Sequence, residues 1–238
     1  MVRATTPRSI LLEDIFQWDV LNWSRALGVW QRFPLAGTGQ DLKALAVGER
    51  EGGLSLWLAS SGYSVHCTDL HGPAPEARTL HAKHGVQAGV VYEAQDITAL
   101  TYPAGTFDVV VFKSVIGALS TKERQQQALA ELLRVLRPGG SLYFAENLAG
   151  TWAHRWLRKR FVRWDSYWRY LRWPEDADLL DGFEQLSAAR FGFLANLGRS
   201  EAQRRFLGRI DTFLGPLVPA SWRYILVVVA RKPVPPPA

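Results

Sequence analysis

The sequence contains one cysteine and lacks any long apolar run. Across 238 residues the single thiol is Cys67, in the strand-like stretch YSVHCTDL, so a disulfide framework is excluded and a reducing compartment is expected. The longest apolar runs, such as ILVVVA, have the length of a strand and not of a membrane span, and the first sixteen residues hold no apolar segment of signal-peptide length. We therefore expect a cytoplasmic protein.

Acidic residues are scarce in one segment, residues 151–173. This segment carries seven basic residues and one acidic residue, Asp165, so its net charge of +6 equals that of the whole chain. It also holds five of the ten tryptophans. As a helix it would present one aromatic face between basic residues. Its basic residues are Arg155, Arg158, Lys159, Arg160, Arg163, Arg169 and Arg172, and its tryptophans are Trp152, Trp156, Trp164, Trp168 and Trp173.

Four interpretations of this basic segment stay open. It suits a phosphorylated or lipid-linked ligand, an anionic membrane surface reached from the cytoplasmic side, stacked nucleic-acid bases, or a solvated cationic face over an aromatic core. The second would make the protein peripheral at the inner face of the membrane.

Strand-like and helix-like segments alternate from Leu42 to Asn147. LKALAV, YSVHCTDL, GVVYEAQDI, TFDVVVFKS and SLYFAEN have strand character, and LSLWLASSG, EARTLHAKHG and TKERQQQALAELLRV lie between them as helices. Two further strands, in FEQLSAARFGFLA and WRYILVVVARK, flank the helical SEAQRRFLGRIDTFLG. The pattern predicts an α/β fold: a seven-stranded, mostly parallel, doubly wound sheet with an antiparallel edge strand.

The domain organisation follows from the remaining segments. Apolar spacing predicts one N-terminal helix over Leu11–Phe33. We expect a helical cap at 1–38, a single α/β domain at 39–232 with a basic aromatic helical insertion at about 148–182, and a disordered proline-rich tail at 233–238.

The loop AVGEREGG, residues 46–53, joins the first strand to the first helix of the sheet. A nicotinamide site needs a glycine where this loop has Arg50, and the lysine and hydroxyl of a phosphate-binding loop are absent. S-adenosylmethionine has no phosphates and tolerates such a loop. Asp69, 21 residues after Gly48 at the end of the second strand, is placed to bind its ribose. Asp96 and Ile97 would contact the adenine.

These residues resemble the class I S-adenosylmethionine-dependent methyltransferases over about residues 40–147, and the closing strand pair extends the resemblance to residues 183–232. TFDVVVF and LRPGGSLYFAEN are similar to the family's fourth and fifth strands, and GxREGG followed by SLWLA is similar to members associated with bacterial surface polysaccharide synthesis. The chain departs from the family at Ala46, where an acid is usual. Glu49 or Glu51 takes over that role, or is a solvated charge beside Arg50. The matching positions are Gly48, Gly52, Gly53, Asp69, Gln95, Asp96 and Ile97.

The resemblance implies an enzyme that transfers a methyl group from S-adenosylmethionine to a hydroxyl of a sugar or glycoconjugate. Two alternatives stay open: methylation of a small molecule such as a quinone or secondary metabolite, and a protein that binds the cofactor without turnover. Nucleic acid is disfavoured as the acceptor, because FKSV follows the fourth strand where base methyltransferases have Asn or Asp, two prolines and an aromatic residue.

The predicted site residues lie mainly at strand ends. Glu146 is the first candidate for a base or acceptor-orienting group, with a structural carboxylate as the alternative; His154 and Lys113 follow. Trp18 and Trp23 would form a lid or a core stripe. His66, His71, His81 and His84 show no metal-ligand spacing, so no metal is expected. The predicted cofactor-binding residues are Gly48, Glu49, Arg50, Glu51, Gly52, Asp69, Leu70, Asp96, Ile97 and Lys113.

Overall fold

The computed structural model describes residues 10–35, 41–162 and 166–236. Parts of three predicted segments lie outside these ranges: residues 1–9 and 36–40 of the N-terminal cap, 163–165 of the basic segment, and 237–238 of the tail.

A seven-stranded sheet in the order β3-β2-β1-β4-β5-β7-β6 forms the centre of the protein. The first five strands run parallel, and β7 is antiparallel to both of its neighbours, β5 and β6. The predicted fold class is confirmed, with the antiparallel strand one position inside the edge. The strands are β1 (Lys43–Val47), β2 (Ser64–Asp69), β3 (Val90–Ala94), β4 (Phe107–Lys113), β5 (Leu136–Asn147), β6 (Glu184–Phe191) and β7 (Ile225–Arg231).

Eight α-helices flank the sheet within the described residues. They are α1 (Leu12–Ile15), α2 (Val20–Trp23), α3 (Arg25–Trp30), α4 (Gly53–Ser60), α5 (Pro75–Lys83), α6 (Lys122–Val135), α7 (Trp152–Phe161) and α8 (Glu201–Leu214). In this part of the chain no helix has the length and apolarity needed to cross a bilayer.

Side chains of the central strands alternate between two apolar layers, as the pleat requires. In β1, Ala44 and Ala46 belong to the layer shared with α3 and α4, whereas Leu45 and Val47 belong to the layer shared with α6. Both faces of the sheet are therefore covered, which is why these strands are apolar throughout.

The predicted N-terminal helix over Leu11–Phe33 is wrong as a continuous element. The chain forms α1, α2 and α3 instead, because Phe16 is extended and Asp19 takes left-handed backbone angles with φ 43°. The Glu201 carboxylate stabilises the break by accepting hydrogen bonds from the backbone N–H groups of Asp19 (2.8 Å) and Val20 (3.0 Å). Contacts with a residue far along the chain thus override the local periodicity.

The single aromatic helix predicted within residues 151–173 is also wrong. Helix α7 ends at Phe161, and further along the chain an extended stretch is tied to the strand ends by bonds from the Arg169 N–H to the Gly117 carbonyl (2.8 Å) and from the Leu171 N–H to the Asn147 carbonyl (3.1 Å). The tryptophans therefore do not share one face. Trp152 and Trp156 are exposed on α7, and Trp168 and Trp173 are half-buried beyond it.

Candidate cofactor and acceptor site

One large cavity lies at the carboxyl ends of β1, β2 and β4. Strands β2 and β4 lie on opposite sides of β1, so the strand order reverses there, and open α/β sheets bind ligands at such a point. The cavity measures about 1240 Å³, above the roughly 300–1,000 Å³ of typical ligand pockets. It therefore has room for a cofactor together with an acceptor.

All ten predicted cofactor-binding residues line this cavity. We call the wall that they form, from the glycine loop, the ends of β2 and β4 and the turn after β3, the cofactor half. They are Gly48, Glu49, Arg50, Glu51, Gly52, Asp69, Leu70, Asp96, Ile97 and Lys113.

Two glycines in the loop are required by both conformation and space. Gly48 and Gly52 have φ of +67° and +77°, a region that L side chains rarely adopt. A Cβ on Gly48 would lie 2.3 Å from Cγ2 of Val115, and one on Gly52 would lie 2.8–2.9 Å from the His81 ring and 2.9 Å from Cβ of Ala77. The loop is thus a tightly packed cradle, and Arg50, which is exposed, does not disturb it.

The carboxylates of Asp69 and Asp96 face the cavity with acceptor oxygens available. Within the described residues, no side-chain hydrogen bond holds Asp69, which is the last residue of β2. Asp96 accepts bonds from the N–H (2.8 Å) and hydroxyl (2.7 Å) of Thr98, both on Oδ1, and these bonds lower the pKa of its carboxyl. Two such groups beside the apolar Ile97 and Leu70 fit a ribose diol and an adenine amino group.

Glu49 is not the solvated charge that the sequence left open. It is 6% exposed, and its Oε2 accepts from the backbone N–H (2.8 Å) and the hydroxyl (3.1 Å) of Ser55. Burial raises the pKa of Glu49, against the attraction of Lys113. An acid therefore lines the loop three residues after Ala46, and it can face a cationic amino group.

Lys113 ends β4 between the cofactor half and the N-terminal helices. Its Nζ lies 5.5 Å from the ring centroid of Phe16, 5.7 Å from that of Trp18 and 5.6 Å from that of Trp23. Desolvation lowers the pKa of Lys113 to about 8, although nearby carboxylates including Glu49 oppose the shift. Trp18 lines the cavity, as a lid residue would, whereas Trp23 is fully buried in the core.

The structure does not bring Glu146 to the cavity wall, which corrects its first-ranked place as a base. The side chain is wholly buried. Oε2 accepts from the backbone N–H groups of Val115 (2.8 Å) and Gly117 (3.4 Å), and Oε1 accepts from the N–H (2.7 Å) and Nδ2 (3.3 Å) of Asn147. Burial raises its pKa to about 7. These hydrogen bonds tie Glu146 to the chain after β4, as a structural carboxylate would be tied.

His154 lines the cavity, but its ring nitrogens are both engaged, which corrects its assignment as a base. Nε2 lies 2.7 Å from the Phe193 carbonyl, which can only accept, so Nε2 carries the proton. Nδ1 then accepts from the Thr151 backbone N–H at 3.1 Å. Burial lowers the pKa of His154. The neutral ring ties the first turn of α7 to the chain after β6.

The opposite wall of the cavity, which we call the acceptor half, combines aromatic rings with arginines. The Arg158 guanidinium lies 4.1 Å from the ring centroid of Tyr170, and the Arg199 guanidinium lies 4.9 Å from that of Phe161. Carboxylates line the described cavity wall at positions 49, 51, 69 and 96 only, all in the cofactor half. The residues of the acceptor half are Leu157, Arg158, Phe161, Val162, Trp168, Tyr170, Asn196, Leu197, Gly198, Arg199 and Arg204.

Sequence reasoning missed Arg199 and Arg204. No motif marks them, and they lie more than 80 residues from Lys113 along the chain. The signal that could have found them is topological. Strand β6 is antiparallel to β7 and so runs in the direction of β5, which puts the loop after β6 at the same edge of the sheet as the glycine loop.

Within the described residues, no cluster of three or more His, Cys, Asp or Glu side chains is arranged to hold a metal ion. Three of the histidines have other partners. Nδ1 of His66 lies 2.8 Å from the Glu93 carboxylate, Nε2 of His81 lies 2.8 Å from the Gly52 carbonyl, and Nε2 of His84 lies 2.9 Å from the Asp14 carboxylate.

The residues of the cofactor half lie in a part of the chain that is similar to known proteins. A family model described as a methyltransferase domain matches residues 45–144. The chain is similar to an uncharacterized protein of Mycobacterium bovis, 34% identical over 109 residues that make up 45% of this chain and 38% of that protein. It is also similar to the ubiquinone/menaquinone biosynthesis C-methyltransferase UbiE of Idiomarina loihiensis, 26% identical over 157 residues, or 60% of this chain and 61% of the relative.

The first of these curated relatives is matched over only about two fifths of its length. In fold, the chain is similar to phosphoethanolamine N-methyltransferase 2 of Haemonchus contortus in complex with S-adenosyl-L-methionine, with a TM-score of 0.62 and 16% identity over 98% of this chain and 60% of that one. The family match supports the prediction of a methyltransferase domain over residues 45–144, and the likeness to the solved structure supports the predicted class I fold.

Proposed function

We propose that the protein transfers a methyl group from S-adenosylmethionine to a hydroxyl of a small-molecule acceptor. One observation carries the proposal: a single cavity of about 1240 Å³ joins the glycine loop and two acids at strand ends to a separate wall of rings and arginines. When bound, the cofactor supplies an electrophilic methyl group on a sulfonium.

The chain's own residues hold and orient the two ligands. Asp69 would accept hydrogen bonds from the ribose hydroxyls, Asp96 would accept from the adenine amino group beside Ile97, and Glu49 would face the amino group of the methionine half. Rigid placement is the main contribution that a protein makes to such a displacement, and well-oriented pairs gain roughly 7–11 kcal/mol.

Lys113 is the group that we assign to the acceptor's proton. Within the described cavity wall the acceptor half offers no carboxylate, and His154 is engaged on both nitrogens. A lysine whose pKa is lowered to about 8 has enough neutral amine near neutral pH to act as a base. Beside it, the Ser114 hydroxyl accepts from Nδ2 of Asn147 at 2.7 Å, which leaves its proton free to orient a ligand oxygen.

The first candidate acceptor is a sugar or glycoconjugate. The resemblance to polysaccharide-associated methyltransferases favours a sugar or glycoconjugate hydroxyl, and rings such as those of Trp168 and Tyr170 can stack on a sugar face. The arginines of the acceptor half suit a phosphate or carboxylate elsewhere on the same molecule.

A second candidate acceptor is a phenol or quinol. The aromatic lining of the acceptor half favours it, as does the similarity to a quinone-biosynthesis methyltransferase. A phenol, with a pKa of about 10, gives up its proton more readily than a sugar alcohol, so it is better matched to a lysine base.

Titration calorimetry with S-adenosylmethionine tests the cofactor assignment. Asp69→Asn should weaken binding at least about tenfold, because a hydrogen bond to a charged group contributes about 1.5–3 kcal/mol. Asp181→Asn, at an exposed position outside the cavity, should leave binding unchanged. Equal affinities for the two variants would contradict the ribose assignment.

A labelled methyl group tests turnover and separates the acceptors. Transfer is measured to sugars and sugar phosphates, to phenols and quinols, and to single-stranded nucleic acid as a control. Product in one of the first two groups identifies the acceptor class. Tight cofactor binding without transfer to any of them would favour a binding protein over an enzyme.

A further inference from the structure

Helix α7 has an outer face that is exposed to solvent and differs from its inner face, which lines the cavity. Positions 152, 155, 156, 159 and 160 share one side of a helix by their three- and four-residue spacing. All five side chains are exposed, Trp152 by 74% and Trp156 by 60%. We call this set the outer face of α7; its members are Trp152, Arg155, Trp156, Lys159 and Arg160.

Among the described residues, the three basic residues of the outer face form no ion pair with an acidic residue. The sequence of α7, WAHRWLRKRF, contains no Asp or Glu, and in the described part of the chain no carboxylate forms an ion pair with Arg155, Lys159 or Arg160. Positive charge and two large indole rings therefore face the solvent together.

This combination matches the polar boundary of an anionic bilayer. Indole rings are enriched at the level of the lipid headgroups, and each basic residue near an anionic surface contributes about 1 kcal/mol of attraction. Single-stranded nucleic acid is the less suitable partner, because proteins that stack bases track the backbone in a groove, whereas the outer face is the convex side of a helix.

The inner face of the same helix forms part of the cavity. Leu157 and Arg158 line the acceptor half, and Phe161 at the end of α7 contacts the Arg199 guanidinium across the cavity wall. A surface that bound the outer face would therefore lie one helix diameter, about 10 Å, from the acceptor half.

We propose that the outer face of α7 docks the protein on an anionic lipid membrane and brings the acceptor half close to the headgroups. Docking in this position lets the acceptor half receive a membrane-borne molecule with an anionic group. Docking requires neither cofactor nor methyl transfer, so it can be tested separately from the proposed function.

Co-sedimentation with vesicles tests this docking. The wild-type protein should bind vesicles of phosphatidylcholine mixed with phosphatidylserine, bind less as salt is raised, and not bind pure phosphatidylcholine. Arg155→Glu combined with Lys159→Glu should weaken binding at least about tenfold. The matched control, Arg32→Glu with Lys43→Glu, changes the net charge equally at two exposed positions away from α7 and should bind like the wild type.

A second variant tests the rings at constant charge. Trp152→Ala with Trp156→Ala should weaken vesicle binding severalfold, with little risk to folding since both side chains are exposed. An equal loss of vesicle binding in the control variant, Arg32→Glu with Lys43→Glu, would show that only the net charge matters and would overturn the proposal. So would binding to neutral vesicles at the same affinity, or binding to single-stranded DNA in place of vesicles.

Discussion

The two halves of the cavity are built from different kinds of structure. The cofactor half comes from strand ends and the turns that directly follow them, and it offers carboxylates and a packed glycine loop. The acceptor half comes from α7, the extended stretch after it, the loop after β6 and the start of α8, and it offers rings and guanidinium groups. The same edge of the sheet therefore carries one wall whose residues are placed by the strand order and another whose residues come from segments outside the parallel strands.

The halves nevertheless share one device, a buried carboxylate that holds a loop by its backbone. Glu146 accepts from the N–H groups that follow β4. Asp211 of α8 accepts from those of Phe193 (3.0 Å), Leu194 (2.7 Å) and Ala195 (3.1 Å) after β6. Each acid shapes one wall without lining the cavity.

Removing these two acids should have the largest effects and should separate the halves. Glu146→Ala and Asp211→Ala each leave buried N–H groups unpaired, so each should lower the free energy of unfolding by about 3–5 kcal/mol in urea titrations. If either variant fails to fold, Glu146→Gln and Asp211→Asn replace them. Glu146→Gln should weaken cofactor binding, and Asp211→Asn should spare it while reducing methyl transfer. If both variants lost cofactor binding and methyl transfer to the same extent, the two halves of the cavity would not be independent.

The glycine loop allows a sharper test of the cofactor half. Gly48→Ala should cost about 2–4 kcal/mol, because it combines a left-handed backbone with a clash against Val115. Gly72→Ala has the same backbone strain at φ +84° but open space around its Cβ, so it should cost about 1 kcal/mol. Calorimetry should show weaker cofactor binding for the first variant alone. Equal behaviour would mean that the contact with Val115 has no role.

The junction between the halves can be tested by pH. If neutral Lys113 is the base, kcat/KM should rise about tenfold per pH unit below pH 8 and level off above it, since the pKa of Lys113 is about 8 and the deprotonated form is active. Lys113→Met should abolish this rise, whereas Lys43→Met, at an exposed position, should keep it. Activity that falls through pH 8 would instead assign Lys113 as a cation that binds a ligand.

The smallest effect concerns the N-terminal cap of α7, the helix that carries Leu157, Arg158 and Phe161 of the acceptor half. Thr151 caps α7 and Thr121 caps α6, each by accepting a hydrogen bond from a backbone N–H, so either change to Ala should cost about 1 kcal/mol. Only Thr151→Ala should raise the acceptor KM and speed hydrogen exchange in α7, with the cofactor affinity unchanged. If Thr121→Ala raised the acceptor KM by the same amount, the cap of α7 would have no specific role in acceptor binding.

Features that depend on local spacing could be predicted from the sequence, whereas features that depend on distant contacts could not. The strands, the glycine loop and the acids at positions 69 and 96 depend on local spacing, and the structure brings them together. The break at Asp19 is stabilised by a hydrogen bond from its backbone N–H to the Glu201 carboxylate, 182 residues away, which no local pattern encodes. The end of α7 likewise coincides with contacts of the following stretch to Gly117 and Asn147.

Residue chemistry alone also misjudged two side chains of the candidate site. A glutamate and a histidine near strand ends suggest proton transfer, but their partners decide otherwise. Glu146 is enclosed by backbone donors and His154 by a carbonyl and an N–H. Burial and pairing are properties of the folded chain, so a sequence can propose such groups but cannot rank them.

The place of β7 between β5 and β6 has a consequence for synthesis. In the described sheet β6 has β7 as its one neighbour, yet β7 is made about 40 residues later. While the ribosome is still translating, β6 and the loop that carries Arg199 have no strand to join, whereas β1 to β5 can already assemble around the glycine loop. A nascent chain stopped before Ile225 would therefore lack the strand that holds β6, and with it the loop carrying Arg199, at the edge of the sheet.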